Sequence, residues 1–157
     1  MAHLNHKELL TDQINMKILR LLQEDPRMSI SQLARQIKMS NPAAKERVVR
    51  LEESGIISGY RLELDPKELG FLVTAFVRVR PAPGQLPKIA ELARQIPEVA
   101  ECHRITGEDC FILKLYLPEI ASLDRILDQF LAFGQTTTSI VQSSPVLPRS
   151  APLPEKT

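Results

Sequence analysis

The apolar residues of this chain change period partway along. Up to Gly55 they recur at helical spacing, and in the second half they alternate as strands do. In TDQINMKILRLLQED, Ile14, Ile18, Leu21 and Leu22 fall at i, i+4, i+7 and i+8. They form one apolar face of a first helix, with Thr11 or Asp12 as its cap. Pro26 breaks it. Ser29 then caps a short second helix, ISQLARQI, whose Ile30, Leu33, Ala34 and Ile37 face inward. A turn of about four residues, KMSN, leads to a third helix. Ser40 or Asn41 caps that helix, and Pro42 sits in its first turn, where a missing N–H costs nothing. At about 100° per residue, Ala44, Val48 and Leu51 share its core face. Arg50 looks away from that face, while Lys45 and Arg47 flank it. Gly55 ends the helix, and IISGYRLELD is expected to begin a strand.

Charge is unevenly spread along the chain. The formal net charge is +1. Between Pro26 and Arg50, however, six bases (Arg27, Arg35, Lys38, Lys45, Arg47 and Arg50) face one acid, Glu46, a local +5. A localised basic patch suits a polyanion, although a solvated surface has the same composition. The helical pattern favours the polyanion. A helix, a short helix, a tight turn and a basic helix make the helix-turn-helix arrangement, whose last element enters the major groove of double-stranded DNA. Small Ala43 allows close approach of a backbone or a base edge. The candidate DNA-contacting residues are Arg27, Ser29, Ser40, Asn41, Ala43, Lys45, Arg47 and Arg50.

The second half reads β-α-β-β-α-β, a ferredoxin-like pattern. FLVTAFVRVR alternates with Val73, Ala75, Val77 and Val79 on one side. GQLPKIAELARQI is a helix with Leu86, Ile89, Leu92, Ala93 and Ile96 on one face. VAECHRIT and CFILKLYL are strands joined through GED, in a register expected to set position 102 against 114. EIASLDRILDQFLAF is a helix with Ile120, Leu123, Leu127 and Phe130 on a stripe, and TTTSIVQSS is the last strand. Two helices cover one sheet face. On the other, Phe76 and Tyr116 sit among Arg78, Arg80 and Lys114. A partly apolar face left to water points to self-association, at least as a dimer.

Other classes are disfavoured. No apolar run reaches the roughly 18 residues of a membrane helix. The opening MAHLNHKELL lacks the apolar core of a secretory signal. Cys102 and Cys110 are read as free thiols in a reducing, cytoplasmic setting. His3, His6 and His103 are the only histidines, and they build neither a metal set nor a catalytic set with other residues. No metal, cofactor or catalytic residue is expected, and no membrane partner.

The chain resembles the Lrp/AsnC (feast/famine) family of transcription regulators over roughly residues 10 to 144. The segments that carry the resemblance are DQINMKILRLLQEDPRMSISQLARQIKMS, ERVVRLEESGIISGYRLELDPKELG, ECHRITGEDCFILKL and TTTSIV. It implies an α+β protein with an N-terminal winged helix-turn-helix joined by a strand to a C-terminal ferredoxin-like βαββαβ (RAM) domain. The expected bounds are 1–60 for the DNA-binding domain, 61–70 for a linker, 71–144 for the oligomerisation and effector domain, and 145–157 for a Pro-rich flexible tail. The resemblance also implies dimers that assemble into tetramers or octamers, regulation often tuned by an amino acid, and in some members DNA bending.

The effector motif departs from the family. The family's turn commonly reads Gly-x-x-Asp-Tyr, but this one reads Gly107-Glu108-Asp109-Cys110-Phe111. A carboxylate receives an ammonium group well, and a thiol does so poorly. Asp109 stands one position early and is expected to point to the opposite face. GEDC is similar to the LrpC-like subgroup. The implied effector residues are Gly107, Asp109, Cys110, Thr136 and Thr138, and the effector is expected to be atypical or absent. Strand propensity alone also accounts for the threonines. One class of proteins of this fold decarboxylates sirohaem, a tetrapyrrole. A decarboxylase subunit is therefore the alternative function, against which the basic third helix argues.

Overall fold

A computed structural model describes residues 6–154. His3 and tail positions 155–157 lie outside the described residues. The chain divides into two units. One comprises the residues up to Leu62 together with those from Pro148 onward, and the other is Glu63–Leu147.

The first unit is helical: α1 (His6–Thr11), α2 (Gln13–Glu24), α3 (Ile30–Ile37) and α4 (Asn41–Glu53). Asp12 caps α2, its carboxylate accepting from the Ile14 and Asn15 N–H groups. The short α1 was not foreseen; six residues carry too little periodicity to announce a helix. The apolar face of α2 is also turned from the expected one. Met16, Ile18 and Leu19 are buried, while Ile14, Leu21 and Leu22 only pack at the edge of the core. Two neighbours, α3 and α4, flank α2 and widen its buried stripe. Leu33, Ala34 and Ile37 of α3 and Ala44, Val48 and Leu51 of α4 complete this core. Each Leu or Ile fully buried here contributes about 1.5–3 kcal/mol.

Gly55 follows α4 with φ +77°, the left-handed conformation that ends many helices. The strand expected from Ile56 is not formed. No described residue between α4 and Val73 takes part in a sheet. A strand needs a partner for its ladder, and this chain offers none there. Tyr60, Leu62 and Leu64 are left 54, 80 and 59% exposed.

The second unit holds β1 (Val73–Pro81), α5 (Leu86–Gln95), β2 (Val99–Arg104), β3 (Phe111–Leu117), α6 (Ser122–Leu131) and β4 (Gly134–Ile140). Its sheet has the order β2-β3-β1-β4 with all three pairings antiparallel. Ala75, Val77 and Val79 of β1 and Phe111, Leu113, Leu115 and Leu117 of β3 form one face. They pack on Ile89 and Ala93 of α5 and on Leu123, Ile126 and Phe130 of α6. Ile120 precedes α6 and is exposed, and Ile126 takes the place expected for it in the core. The helix begins at Ser122, three residues later than the sequence suggests, so Ile120 lies outside it. Cys102 lies opposite Leu113, one residue from the expected register. The loop closes between the Ile105 N–H and the Cys110 carbonyl, so its centre falls just before Glu108. Both cysteines are free.

Among the described residues, the tail beyond Pro145 forms no helix or strand. Yet Leu153 packs against the helical core of the first unit.

Candidate nucleic-acid interface

Three local devices set the ends of α3 and the turn from α3 into α4. Ser29 and Gln32 form a reciprocal capping box at the start of α3, with the Ser29 N–H donating to Gln32 Oε1 at 2.9 Å. Lys38 ends α3 in the left-handed conformation at φ 58°, the one non-glycine to do so among the described residues. The Met39 N–H then closes on the Ala34 carbonyl at 2.9 Å. Ser40 caps α4, accepting from the Ala43 N–H at 3.4 Å, and Pro42 lies in the first turn. The turn is thus three residues, Lys38 to Ser40, which swings α4 sharply away from α3.

Burial of Ala44, Val48 and Leu51 fixes the rotation of α4. Asn41 and Lys45 are left exposed at its N-terminal half. Arg50 and Glu46 are also exposed and pair at 2.5 Å one turn apart. Such an exposed pair is worth about 0.3–0.5 kcal/mol, so a phosphate can displace it. Arg27 is exposed in the turn before α3, where its N–H donates to Asp25.

Arg47 is disposed differently. Its Nη1 donates to Asp12 Oδ2 and to Asn15 Oδ1, both at 2.8 Å. Asn15, the one buried polar residue described, in turn donates to the Leu9 carbonyl at 3.1 Å. The network ties α4 to α2 and α1. Partial burial works to raise the Asp12 pKa. The Arg47 hydrogen bond, the Asn15 and Ile14 N–H groups and the Arg47 charge outweigh it and hold the carboxyl below the ordinary aspartate value. Ala43 is half-buried and lines a cleft of about 470 Å³ with Arg47, Arg50 and Leu9. The expected contact residues of α4 therefore fall into two groups: Asn41 and Lys45 on open helix surface, and Ala43, Arg47 and Arg50 along the cleft toward α1. Sequence reasoning missed the Asp12–Asn15 pair. The available signal was an asparagine inside an apolar helical stripe, three residues after its cap.

The effector turn lies in the second unit. Gly107 has φ +109°, a conformation that favours glycine. Asp109 points to the open sheet face, 3.4 Å from Arg78 and 3.9 Å from Arg80, and Glu108 also pairs with Arg80. Cys110 instead packs against the helix-covered core. Thr136 and Thr138 lie opposite Val79 and Val77 on that covered side. They are separated from Phe111 and Cys110 by β1, two strand spacings or about 10 Å. Within one chain the turn and the threonines do not converge. Partial desolvation raises the Cys102 pKa against the nearby charge of Arg94, although strand β2 leaves the residue exposed.

The open sheet face carries Phe76, 38% exposed, beside half-buried Ile112 and Tyr116. Lys114 lies over the Tyr116 ring at 5.2 Å and donates to Glu101 at 3.2 Å. His103 lies 3.4 Å from the same carboxylate, on the exposed strand β2. Among the described residues no His, Cys, Asp or Glu side chains converge as metal ligands, and no helix is long and apolar enough to cross a membrane.

Comparison with known proteins fits this geometry. The Lrp/AsnC ligand binding domain profile matches residues 74–150, and a winged helix-turn-helix DNA-binding profile matches 11–58. The chain is 33% identical over 132 residues to the HTH-type transcriptional regulator LrpC of Bacillus subtilis, covering 84% of this chain and 92% of that one. It is 32% identical over 137 residues to the HTH-type transcriptional regulator LrpA of Mycobacterium tuberculosis, covering 87% and 89%. The solved structure of B. subtilis LrpC superposes with a TM-score of 0.80 at 32% identity, covering 85% and 95%. A Neisseria meningitidis transcriptional regulator, NMB0573, solved as its L-Met complex, superposes with 0.84 at 28% identity, covering 90% and 96%.

Proposed function

The chain belongs to the Lrp/AsnC family of transcription regulators, and on that ground we propose that it reads DNA as a dimer or higher oligomer through α4. Its function is DNA-binding transcription regulation. The observation that carries the finer reading is the exposure of Asn41 and Lys45 on a helix whose rotation Ala44, Val48 and Leu51 fix. Ser40, Asn41 and Lys45 meet the groove. Arg50 leaves Glu46 for a phosphate or a base edge, and Arg27 and Ser29 meet the backbone. Arg47 acts as a positioning residue, because its guanidinium is engaged with α2.

Association proceeds through the open sheet face around Phe76 and Tyr116, and the unpaired 60–64 stretch adds apolar surface. Tetramers or octamers, with bending of the bound DNA, follow from further contacts between dimers. The match of residues 74–150 to a ligand binding domain supports a small-molecule site in the second unit, and a relative of this fold was solved with L-Met. Here the turn offers Cys110 in place of a carboxylate, and Asp109 is turned to arginines. Ordinary free amino acids therefore bind weakly or not at all. Any effector sits between copies, against Gly107 and Cys110 of one and Thr136 and Thr138 of another.

The protein works in the cytoplasm without catalysis or cofactor. The relatives carry regulator names, and the tetrapyrrole decarboxylase alternative gains no support from them. The test is selection of bound fragments from genomic DNA by the full chain, with and without a pool of amino acids. A recurring operator with two related half-sites is expected. Recovery of no enriched sequence refutes sequence-specific reading.

A further inference from the structure

The tail segment that holds Ala151 and Leu153 returns to the first unit. The side-chain amide of Gln23, at the end of α2, donates to the Ala151 carbonyl at 3.1 Å. Leu153 is half-buried against the helical core, while Ala151, Pro152 and Pro154 around it are exposed. Ala151 and Leu153 both lie beyond residue 150, where the match to the Lrp/AsnC ligand binding domain ends. The contact is thus outside what that domain profile describes.

The composition of the segment suits docking. Pro145, Pro148, Pro152 and Pro154 hold it extended before it binds, so little chain entropy is lost on contact. Prolines carry no N–H, which lowers the number of donors left unsatisfied. Leu153 stands between two of them and is the side chain the segment buries. On the other side, Leu21 and Leu22 of α2 are only partly covered by their own unit and offer apolar surface.

We propose that residues 148–154 form a strap. The end of α2 is a docking site for a short Pro-rich peptide with one central leucine, and its occupant is the chain's own tail. The first unit then has two covalent tethers, the linker that leaves at Leu62 and the strap that returns at Pro148.

Hydrogen exchange on the full chain tests this. The comparison set is the unaltered protein, a chain stopped after Leu147, Leu153→Asp, and Gln23→Ala. Without the strap, amides at the end of α2 should exchange on the order of tenfold faster, with a smaller effect in Gln23→Ala. Amides of β3 should not change, which shows that the second unit is intact. A peptide of residues 145–157, added at the millimolar concentration a short tether supplies, should restore protection to the shortened chain. Unchanged exchange in α2 for both the shortened chain and Leu153→Asp, or no protection by the peptide, overturns the proposal. Exchange is measured without DNA, so failure of docking and failure of DNA reading are separate results.

Discussion

Arg47 on α4 meets Asp12, the cap of α2, at 2.8 Å across thirty-five residues of sequence. One guanidinium thereby fixes the angle between the basic helix and the helix it packs on. Arg47→Ala should destabilise the helical unit by about 2–3 kcal/mol, because the side-chain oxygen of buried Asn15 loses its donor. Arg47→Lys should recover only part of this, since the lysine ammonium reaches less far than Nη1 and is more strongly hydrated. Urea unfolding followed by helix signal measures both. A loss below 0.5 kcal/mol, on the order of an ordinary surface change, refutes the strut.

The same pair sets an acid limit. The Asp12 pKa is lowered in the folded chain, so its contribution is present above the unfolded value, near pH 4, and is lost as pH falls through the folded value. Asp12→Asn should therefore be less stable at pH 7, and the difference should shrink below about pH 4. A constant difference between pH 7 and pH 3 contradicts this.

On DNA, two positions of α4 should separate by the kind of contact they make. Lys45→Ala should weaken all sequences alike and reduce the slope of affinity against salt by about one ion. Arg50→Ala should cost about 1–3 kcal/mol on the operator and relax preference there. Fluorescence anisotropy over a salt series distinguishes them. Unchanged affinity in both variants removes α4 as the reading element.

Association should depend on the open sheet face. Tyr116→Asp and Phe76→Asp place a charge where apolar surface would be buried, and each should weaken the dimer at least tenfold. A fragment lacking residues 1–60 should remain folded and dimeric, because its core is complete without them. Light scattering of the full chain as a stable monomer at micromolar concentration is the contrary result.

For the effector, calorimetry with the twenty amino acids should give no dissociation constant in the micromolar range. Cys110→Asp should then create or strengthen binding of an amino acid, since it supplies a charged acceptor for the ammonium. Micromolar binding of leucine to the unaltered chain would show that other groups do this work.

Much of this was legible in the residues. The change of period at Gly55 separated helices from sheet, and the triplet Ala44, Val48 and Leu51 set the rotation of α4 correctly. Alternation in β1 and β3 gave the buried and open faces. What could not be read depended on partners distant in sequence. Arg47 looks like any other basic residue until Asp12 and Asn15 are beside it. Ile120 and Ile126 are equally apolar, and only the start of α6 decides which is buried. The stretch after Gly55 has strand composition, yet backbone groups without a ladder partner do not make a strand. Leu153 gave no signal, because a single apolar residue among prolines has no period.

The helical core and the sheet core have no residue in common. That separation bears on how such a chain can diverge. A substitution that reshapes the surface of α4 need not be compensated around the Gly107 turn, and the reverse holds too. After duplication, two copies could acquire different operators while keeping one effector response, or exchange effectors while keeping their operators. Recombination near Leu62 would join halves of different ancestry and leave the sheet core whole, while the helical core would take its Leu153 contact from the new tail.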